Sequence, residues 1–89
     1  MAVLVTARVD GQTEAGWDQI FGKLGPVIRQ AKGFIAVGGG HSNEGWRAFE
    51  IWESAEEATD FYTKYVHPNL PPTVKPQRTM LELRTLVLK

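Results

Sequence analysis

The chain has 89 residues, of which 43% are hydrophobic and 22% charged, with ten basic and ten acidic side chains and no cysteine. Such a composition is typical of a folded globular protein, and one domain spanning residues 1–89 is expected. Zero net charge disfavours nucleic acid and anionic membranes as partners, and the lack of cysteine excludes disulfides and thiolate chemistry. No apolar run reaches the ~18 residues of a membrane span, and the N-terminus lacks a signal-peptide pattern, so a cytoplasmic protein is expected.

The first half of the chain predicts a strand and a helix. Residues 2–9 are mostly β-branched and apolar, which predicts a strand. From Thr13, which is suited to be an N-cap, apolar residues recur at three- and four-residue steps and predict one helix. Gly25-Pro26 is expected to kink this helix or split off its last turn, and Lys32-Gly33 to end it.

The middle of the chain predicts a hairpin. Residues 34–37 and 46–53 have strand patterns, and residues 41–45 predict the connection between them. The first of these strands runs into Gly38-Gly39-Gly40, which are expected at the hairpin end with room for close backbone approach. A dinucleotide-type phosphate loop is excluded, because Asn43 occupies the place of its third glycine and a strand follows instead of a helix.

The last third predicts a helix and a strand. Residues 54–57 (Ser-Ala-Glu-Glu) match a capping box, and the apolar face of the following helix continues to Pro68. Residues 67–79 contain four of the five prolines and predict an irregular segment, after which residues 80–88 predict the fourth strand.

The element order β-α-β-β-α-β predicts a ferredoxin-like α+β fold, with a four-stranded antiparallel sheet and both helices on one face. Neither side of the predicted strands is consistently polar, so the other face of the sheet would leave apolar surface in water. We therefore expect two copies to pack sheet against sheet as a homodimer, which closes a dimeric α+β barrel.

With this architecture, the chain resembles the antibiotic-biosynthesis monooxygenase-like (ABM-like) family of dimeric α+β barrel proteins over essentially its whole length. The resemblance is carried by Leu24-Gly25-Pro26, by Gly33-Phe34-Ile35, and by Trp52-Glu53-Ser54 before a helix that contains Phe61. The resemblance implies that the protein binds a small hydrophobic ligand. Members include cofactor-independent oxygenases of polycyclic phenols, haem-degrading enzymes, polyketide cyclases and lactone isomerases.

The residues typical of individual activities are replaced in this chain. Ala7 corresponds to the asparagine of the haem-degrading members, and Ala48 to the asparagine of the quinone-forming oxygenases. A polyketide cyclase of this fold shares His67-Pro68, but its tyrosine and second histidine correspond to Lys64 and Leu70. No characterised set of catalytic residues is therefore present as a whole.

Two residues are the candidates for catalysis. The imidazole of His67 suits proton transfer near neutral pH, or it caps the helix C-terminus. Glu50 shares a predicted strand face with Trp46 and Trp52, where a carboxylate needs a partner. That partner is expected to be Arg84 or Arg8 across the sheet; alternatively, Glu50 is a general base or a substrate anchor.

The candidate substrate-binding residues are aromatic or basic side chains expected to face the cleft between sheet and helices. They would stack on a flat ligand, hydrogen-bond its oxygens or stabilise an oxyanion, with packing in the core as the alternative for the aromatic ones. These residues are Trp46, Trp52, Phe61, Tyr62, Tyr65 and Arg84. His41 is expected to face solvent, and two separate histidines without cysteine predict no metal site.

The leading functional hypothesis is an enzyme that acts on a flat phenolic or carbonyl compound. Flavin and metal motifs are missing, so the hypothesis is a cofactor-independent monooxygenase in which a deprotonated substrate reacts directly with oxygen. The alternatives are a non-catalytic dimeric ligand-binding or sensing module and a cyclase or isomerase on the same fold. A ferredoxin-like RNA binder is disfavoured by the neutral charge and by the expected closure of the barrel.

Overall fold

The computed structural model describes residues 1–89 and shows two helices packed on one face of a four-stranded antiparallel sheet. Neighbouring strands are antiparallel in the order β2-β3-β1-β4, which confirms the predicted ferredoxin-like β-α-β-β-α-β fold. Neither helix is long and apolar enough to cross a membrane. The elements are β1 (Val3–Asp10), α1 (Glu14–Arg29), β2 (Phe34–Ser42), β3 (Gly45–Trp52), α2 (Ala55–Phe61) and β4 (Lys75–Glu82), with a π-helical turn at Tyr62–Val66 and a 3-10 turn at His67–Asn69 between α2 and β4.

Both helices begin at the predicted caps. Thr13 Oγ1 accepts a hydrogen bond from the Gly16 N–H at 3.0 Å, and Ser54 Oγ accepts one from the Glu57 N–H at 3.2 Å. The Ser54 hydroxyl also donates to Glu57 Oε1 at 2.9 Å, so the glutamate holds the capping side chain itself. Each cap is worth about 1 kcal/mol of helix stability.

Helix α1 runs unbroken through Pro26, so the predicted splitting of its last turn is wrong. A proline ring normally clashes with the Cβ of the preceding residue and pushes that residue out of the helical region. Gly25 has no Cβ, so this clash does not arise at Pro26. The carbonyl that loses its partner at Pro26 belongs to Gly22, which is exposed to water. The helix ends at Arg29, three residues before the predicted end, and Gly33, with φ of 83°, turns the chain into β2.

Strand β2 is longer than the predicted residues 34–37: it contains all three glycines and extends to Ser42, so the predicted start of the connection at residue 41 is wrong. The turn itself lies at Asn43-Glu44, where the Ser42 hydroxyl donates to the Gly45 carbonyl at 2.7 Å. Aromatic side chains occupy the space that side chains would take at two of these glycines: a Cβ at Gly38 would lie 2.5 Å from the Phe49 ring, and one at Gly39 would lie 2.5 Å from the Trp17 ring. Packing therefore overrides the low strand propensity of glycine.

Strand β4 begins at Lys75 instead of residue 80, which corrects both the predicted strand and the predicted irregular segment. Its register pairs Asp10 with Lys75 and Val3 with Glu82. Pro76 is compatible with this strand because β4 is at the edge of the sheet and pairs on one side only. Residues 83–89 follow without regular secondary structure.

The core lies between the sheet and the helices in two clusters. The first surrounds Trp52, which is fully buried between the rings of Phe34 and Phe61, at centroid distances of 5.5 and 5.4 Å. The second lies towards the hairpin end of the sheet and consists of Ala7, Val9, Trp46 and Val74. Trp46 and Trp52 thus both face the helices, as predicted.

The opposite side of the sheet carries an apolar patch that no part of the chain covers. Leu4 is paired with Ile51 on one side and with Leu81 on the other, and Phe49 lies one pleat further along β3. Phe49 is 40% exposed and Leu81 is 49% exposed. These four residues form the open-face patch, which matches the mixed polarity predicted for this face.

Candidate functional site

A cavity lies between the sheet and the helices, where the two core clusters meet. Its volume is about 70 Å³, well below the ~300 Å³ at which typical small-molecule sites begin. A larger ring system would therefore need side chains of the wall to move on entry. Most of the wall is apolar and includes Ala7, Val9, Trp17, Phe21, Leu24 and Val66.

The polar part of the wall is an ion pair between Glu50 and Arg78. Arg78 Nη1 donates to Glu50 Oε2 at 3.0 Å, and Trp52 Nε1 donates to Glu50 Oε1 at 2.8 Å. The two charged side chains are only 19% and 17% exposed. Both carboxylate oxygens thus have a partner, which is what makes a charge tolerable on this apolar surface.

The predicted partners of Glu50, Arg84 and Arg8, are wrong. Arg8 lies on the open side of the sheet and pairs with Asp10 at 3.1 Å. Arg84 follows the end of β4 and is exposed. In the observed register, Arg78 on β4 pairs with Ala7 on β1. Arg78 therefore lies on the same sheet face as Glu50, on the far side of β1 from β3.

Tyr62 and Gln12 also belong to the polar part of the cavity wall. The Arg78 Cζ atom lies 3.9 Å from the centroid of the Tyr62 ring, a cation–π contact. Tyr62 begins the π-helical turn, in which the His67 N–H bonds to the Tyr62 carbonyl five residues back. Such turns insert one extra residue into a helix and are frequent at functional sites. We call Glu50, Arg78, Trp52 and Tyr62 the cavity polar cluster.

The structure brings part of the predicted set of site residues together. Glu50, Phe61 and Tyr62 line the cavity directly. Trp52 reaches the site through its hydrogen bond to Glu50. Trp46 lies in the second core cluster, against the cavity wall at Trp17.

The remaining predicted residues lie outside the cavity. Tyr65 is 42% exposed and faces a surface groove between α1 and α2. His67 is exposed, and its ring centroid is 6.1 Å from that of Tyr62. Arg84 is exposed in the segment after β4. Catalytic or binding roles for these three side chains stay predictions.

Two residues of the site region were missed at the sequence level. Arg78 belongs to a stretch interrupted by Pro76, which hid the strand alternation that would have placed it on the helix-facing side. Asn69 Nδ2 donates to the Tyr65 carbonyl at 2.6 Å and so caps the helical segment, a role considered above for His67. Nowhere do three His, Asp or Glu side chains converge as metal ligands.

Comparison with known proteins identifies relatives by structure but not by sequence. No family model matches the chain, and no curated protein sequence matches it. SnoaB, a cofactor-independent oxygenase from Streptomyces nogalater, is similar with a TM-score of 0.74 at 9% identity, over 99% of this chain and 98% of SnoaB.

Two further solved structures share the fold. The haem degrader MhuD from Mycobacterium tuberculosis, with two haems bound in its active site, has a TM-score of 0.66 at 16% identity, over 96% of this chain and 98% of MhuD. A monooxygenase from the gene ActVA-Orf6 of Streptomyces coelicolor, in complex with nanaomycin D, has a TM-score of 0.56 at 20% identity, over 99% and 90% of the two chains. The chain therefore has the ABM-like fold, as its motifs predicted.

Proposed function

We propose that the protein is a cytoplasmic homodimer that binds a flat, apolar molecule bearing a phenolic or carbonyl oxygen, and that it oxygenates this molecule without a cofactor. The observation that carries the proposal is the cavity polar cluster, in which a carboxylate and a guanidinium lie side by side in a cavity whose remaining wall is apolar except for Gln12. The apolar wall suits a ring system. The charged pair suits one oxygen on that ring system and the acidic proton next to it.

The binding role of Arg78 follows from its hydrogen-bond capacity. A guanidinium has five N–H donors, and Arg78 uses one of them on Glu50, so others remain for a ligand oxygen. Contact with the Tyr62 ring fixes the plane of the guanidinium. A fixed donor in a dry cavity stabilises an oxyanion more strongly than a solvated one does.

The proposed reaction uses Glu50 as the base. Its carboxylate takes a proton from an acidic CH₂ group next to the ligand's ring carbonyl, and Arg78 holds the enolate oxygen. The carbanion adds O₂ to give a peroxide, which loses water and leaves a second carbonyl, so that CH₂ and O₂ become C=O and H₂O. His67, near Tyr62, would pass the proton to solvent. SnoaB and the ActVA-Orf6 product, both described as oxygenases, lend support through the shared fold.

Oxygen uptake with anthrone as the substrate tests the proposal. Glu50→Gln should lower the turnover rate by about 100-fold or more, because a general base typically contributes that factor. Glu53→Gln is the matched control, since Glu53 is exposed, and it should turn over like the wild type. Equal turnover by the wild type and Glu50→Gln would contradict the proposed base.

A non-catalytic ligand-binding module is the second candidate, and one observation favours it. Both oxygens of Glu50 already accept hydrogen bonds, from Trp52 and Arg78, so the carboxylate is engaged before a ligand arrives. In that case, anthrone would quench the tryptophan fluorescence with a saturable dependence on concentration. Oxygen uptake would then stay at the rate of anthrone in buffer.

The proposed homodimer rests on the open-face patch. Leu4, Phe49, Ile51 and Leu81 form a contiguous apolar surface on a sheet face that the chain itself leaves in water. A second copy that packs the same face against it would bury both patches by a two-fold contact. The dimer would also stiffen the sheet on which the cavity polar cluster is built.

A further inference from the structure

One polar group inside the protein has no partner, the indole N–H of Trp46. The residue is only 6% exposed, and its Nε1 atom is buried without any hydrogen bond. Trp52, the other buried tryptophan on the same strand face, donates its N–H to Glu50. Buried donors are almost always paired in native proteins, so the unpaired N–H of Trp46 requires an explanation.

Trp46 lies directly behind the wall of the cavity. It packs in one cluster with Ala7 and Val9, which both line the cavity. The ring of Trp17, another part of the wall, covers it at a centroid distance of 5.3 Å. A shift of the Trp17 ring would therefore extend the cavity towards Trp46.

The position of Trp17 makes it a suitable cover. Its side chain is only half-buried, and its ring rests against Gly39, where the backbone carries no side chain to hold it in place. The cavity is too small for a ring system unless some part of its wall moves. Displacement of Trp17 would enlarge the cavity on the side of Trp46.

We infer that the Trp46 N–H is a second ligand anchor, which donates a hydrogen bond to an oxygen at the end of the ligand far from Arg78. This inference rests on the proposed function and deepens it. Arg78 is in register with Ala7 and Ala48, so it lies two residues along the sheet and two strands away from Trp46, a backbone separation of about 12 Å. The ligand class is therefore an elongated planar ring system with an oxygen at each end.

Two related probes test the inference by isothermal titration calorimetry. In 2,6-dihydroxyanthraquinone, hydroxyl groups stand at opposite ends of three fused rings, and 2-hydroxyanthraquinone lacks one of them. The wild type should bind the dihydroxy compound at least about fivefold more tightly, as one neutral hydrogen bond permits. Trp46→Phe should reduce this ratio to about one and leave the affinity for the monohydroxy compound within about twofold.

Two further variants separate the N–H from the bulk of the ring. His41→Phe is the control, because it changes another ring next to Trp46, at a centroid distance of 6.1 Å, outside the cavity wall, and it should keep the wild-type ratio. Benzothienylalanine at position 46 keeps both rings and replaces N–H by sulfur, so it should lose the ratio even if Trp46→Phe folds poorly.

The remaining outcomes separate a failure of the inference from a failure of the proposed function. A ratio near one in the wild type would overturn the inference and assign the N–H to a structural water. A ratio that Trp46→Phe leaves unchanged would also overturn it, and in both cases the proposed function would stand. If the wild type binds neither compound, the proposed function fails, and the inference fails with it.

Discussion

Glu50 and Arg78 determine the character of the site, since they are the only charged pair in the cavity wall. Their hydrogen bonds and the Tyr62 contact compensate for the loss of water around each charge. Removing one partner of such a pair leaves the other charge buried without compensation. Removing both charges together leaves no such penalty.

Arg78→Met should therefore lower the free energy of unfolding by about 3 kcal/mol, measured by urea denaturation. The double variant Glu50→Gln/Arg78→Met should recover more than half of that loss. Arg8→Met is the control, since the Arg8–Asp10 pair is about half exposed and should change stability by less than about 1 kcal/mol. Equal losses in Arg78→Met and in the double variant would show that packing, not charge, explains the effect.

At the scale of single residues, the sequence predicted the position of Glu50 but not that of its partner Arg78. Strand alternation placed Glu50 with Trp46 and Trp52, which the structure confirms. Arg78 escaped because a proline two residues earlier is typical of a loop, and only the edge position of β4 reconciles that proline with a strand. Edge positions depend on the tertiary arrangement, which local patterns do not encode.

At the scale of elements, the type and order of the strands and helices were predictable, and so were the starts of both helices and the bounds of β1 and β3 to within one residue. The ends of the helices and the bounds of β2 and β4 were not. The apolar spacing after Ser54 fits an α-helix up to Pro68, but the helix changes to a π-helical turn at Tyr62. Tyr62, the first residue of this turn, lies against Arg78 on another element. Such a contact between distant segments is invisible to a periodicity of three to four residues.

Strand β2 offers a test of how glycine and aromatic side chains fit together. Gly39→Ala should displace the Trp17 ring and lower the free energy of unfolding by about 1–3 kcal/mol, because its Cβ would overlap that ring. Gly40→Ala is a matched control one residue away, where an added Cβ meets nothing within 4 Å. Tryptophan fluorescence and urea denaturation would report both effects. Identical behaviour of the two variants would exclude Trp17 as the neighbour of Gly39.

At the scale of the whole molecule, the sheet has two different faces. One is covered by the helices and holds the cavity, and the other exposes the open-face patch. The sequence predicted apolar surface on both faces of the sheet because neither set of alternating strand residues was polar throughout. The residues that form the patch depend on the register of β4. This strand was predicted to begin five residues too late, so the pairing of Leu81 with Leu4 was not predicted from the sequence.

Phe49→Asp should therefore convert the protein from a dimer to a monomer in sedimentation velocity at micromolar concentration. A charge at the centre of a buried apolar contact has no partner and opposes association. Val27→Asp is matched in exposure, since both side chains are 40% exposed, but it lies on α1 and should leave the dimer intact. A wild type that sediments as a monomer would refute the dimer.

The small volume of the cavity also has a kinetic consequence. Since a volume of about 70 Å³ is small for a fused ring system, the proposed ligand is expected to enter only after the wall opens. In a stopped-flow experiment, the observed rate of binding would then rise with probe concentration and level off at the rate of opening. Gly39→Ala, which loosens the Trp17 ring, should raise that plateau, while Gly40→Ala should leave it where it is. The slowest step of ligand binding would thus be the movement of the Trp17 side chain and not diffusion.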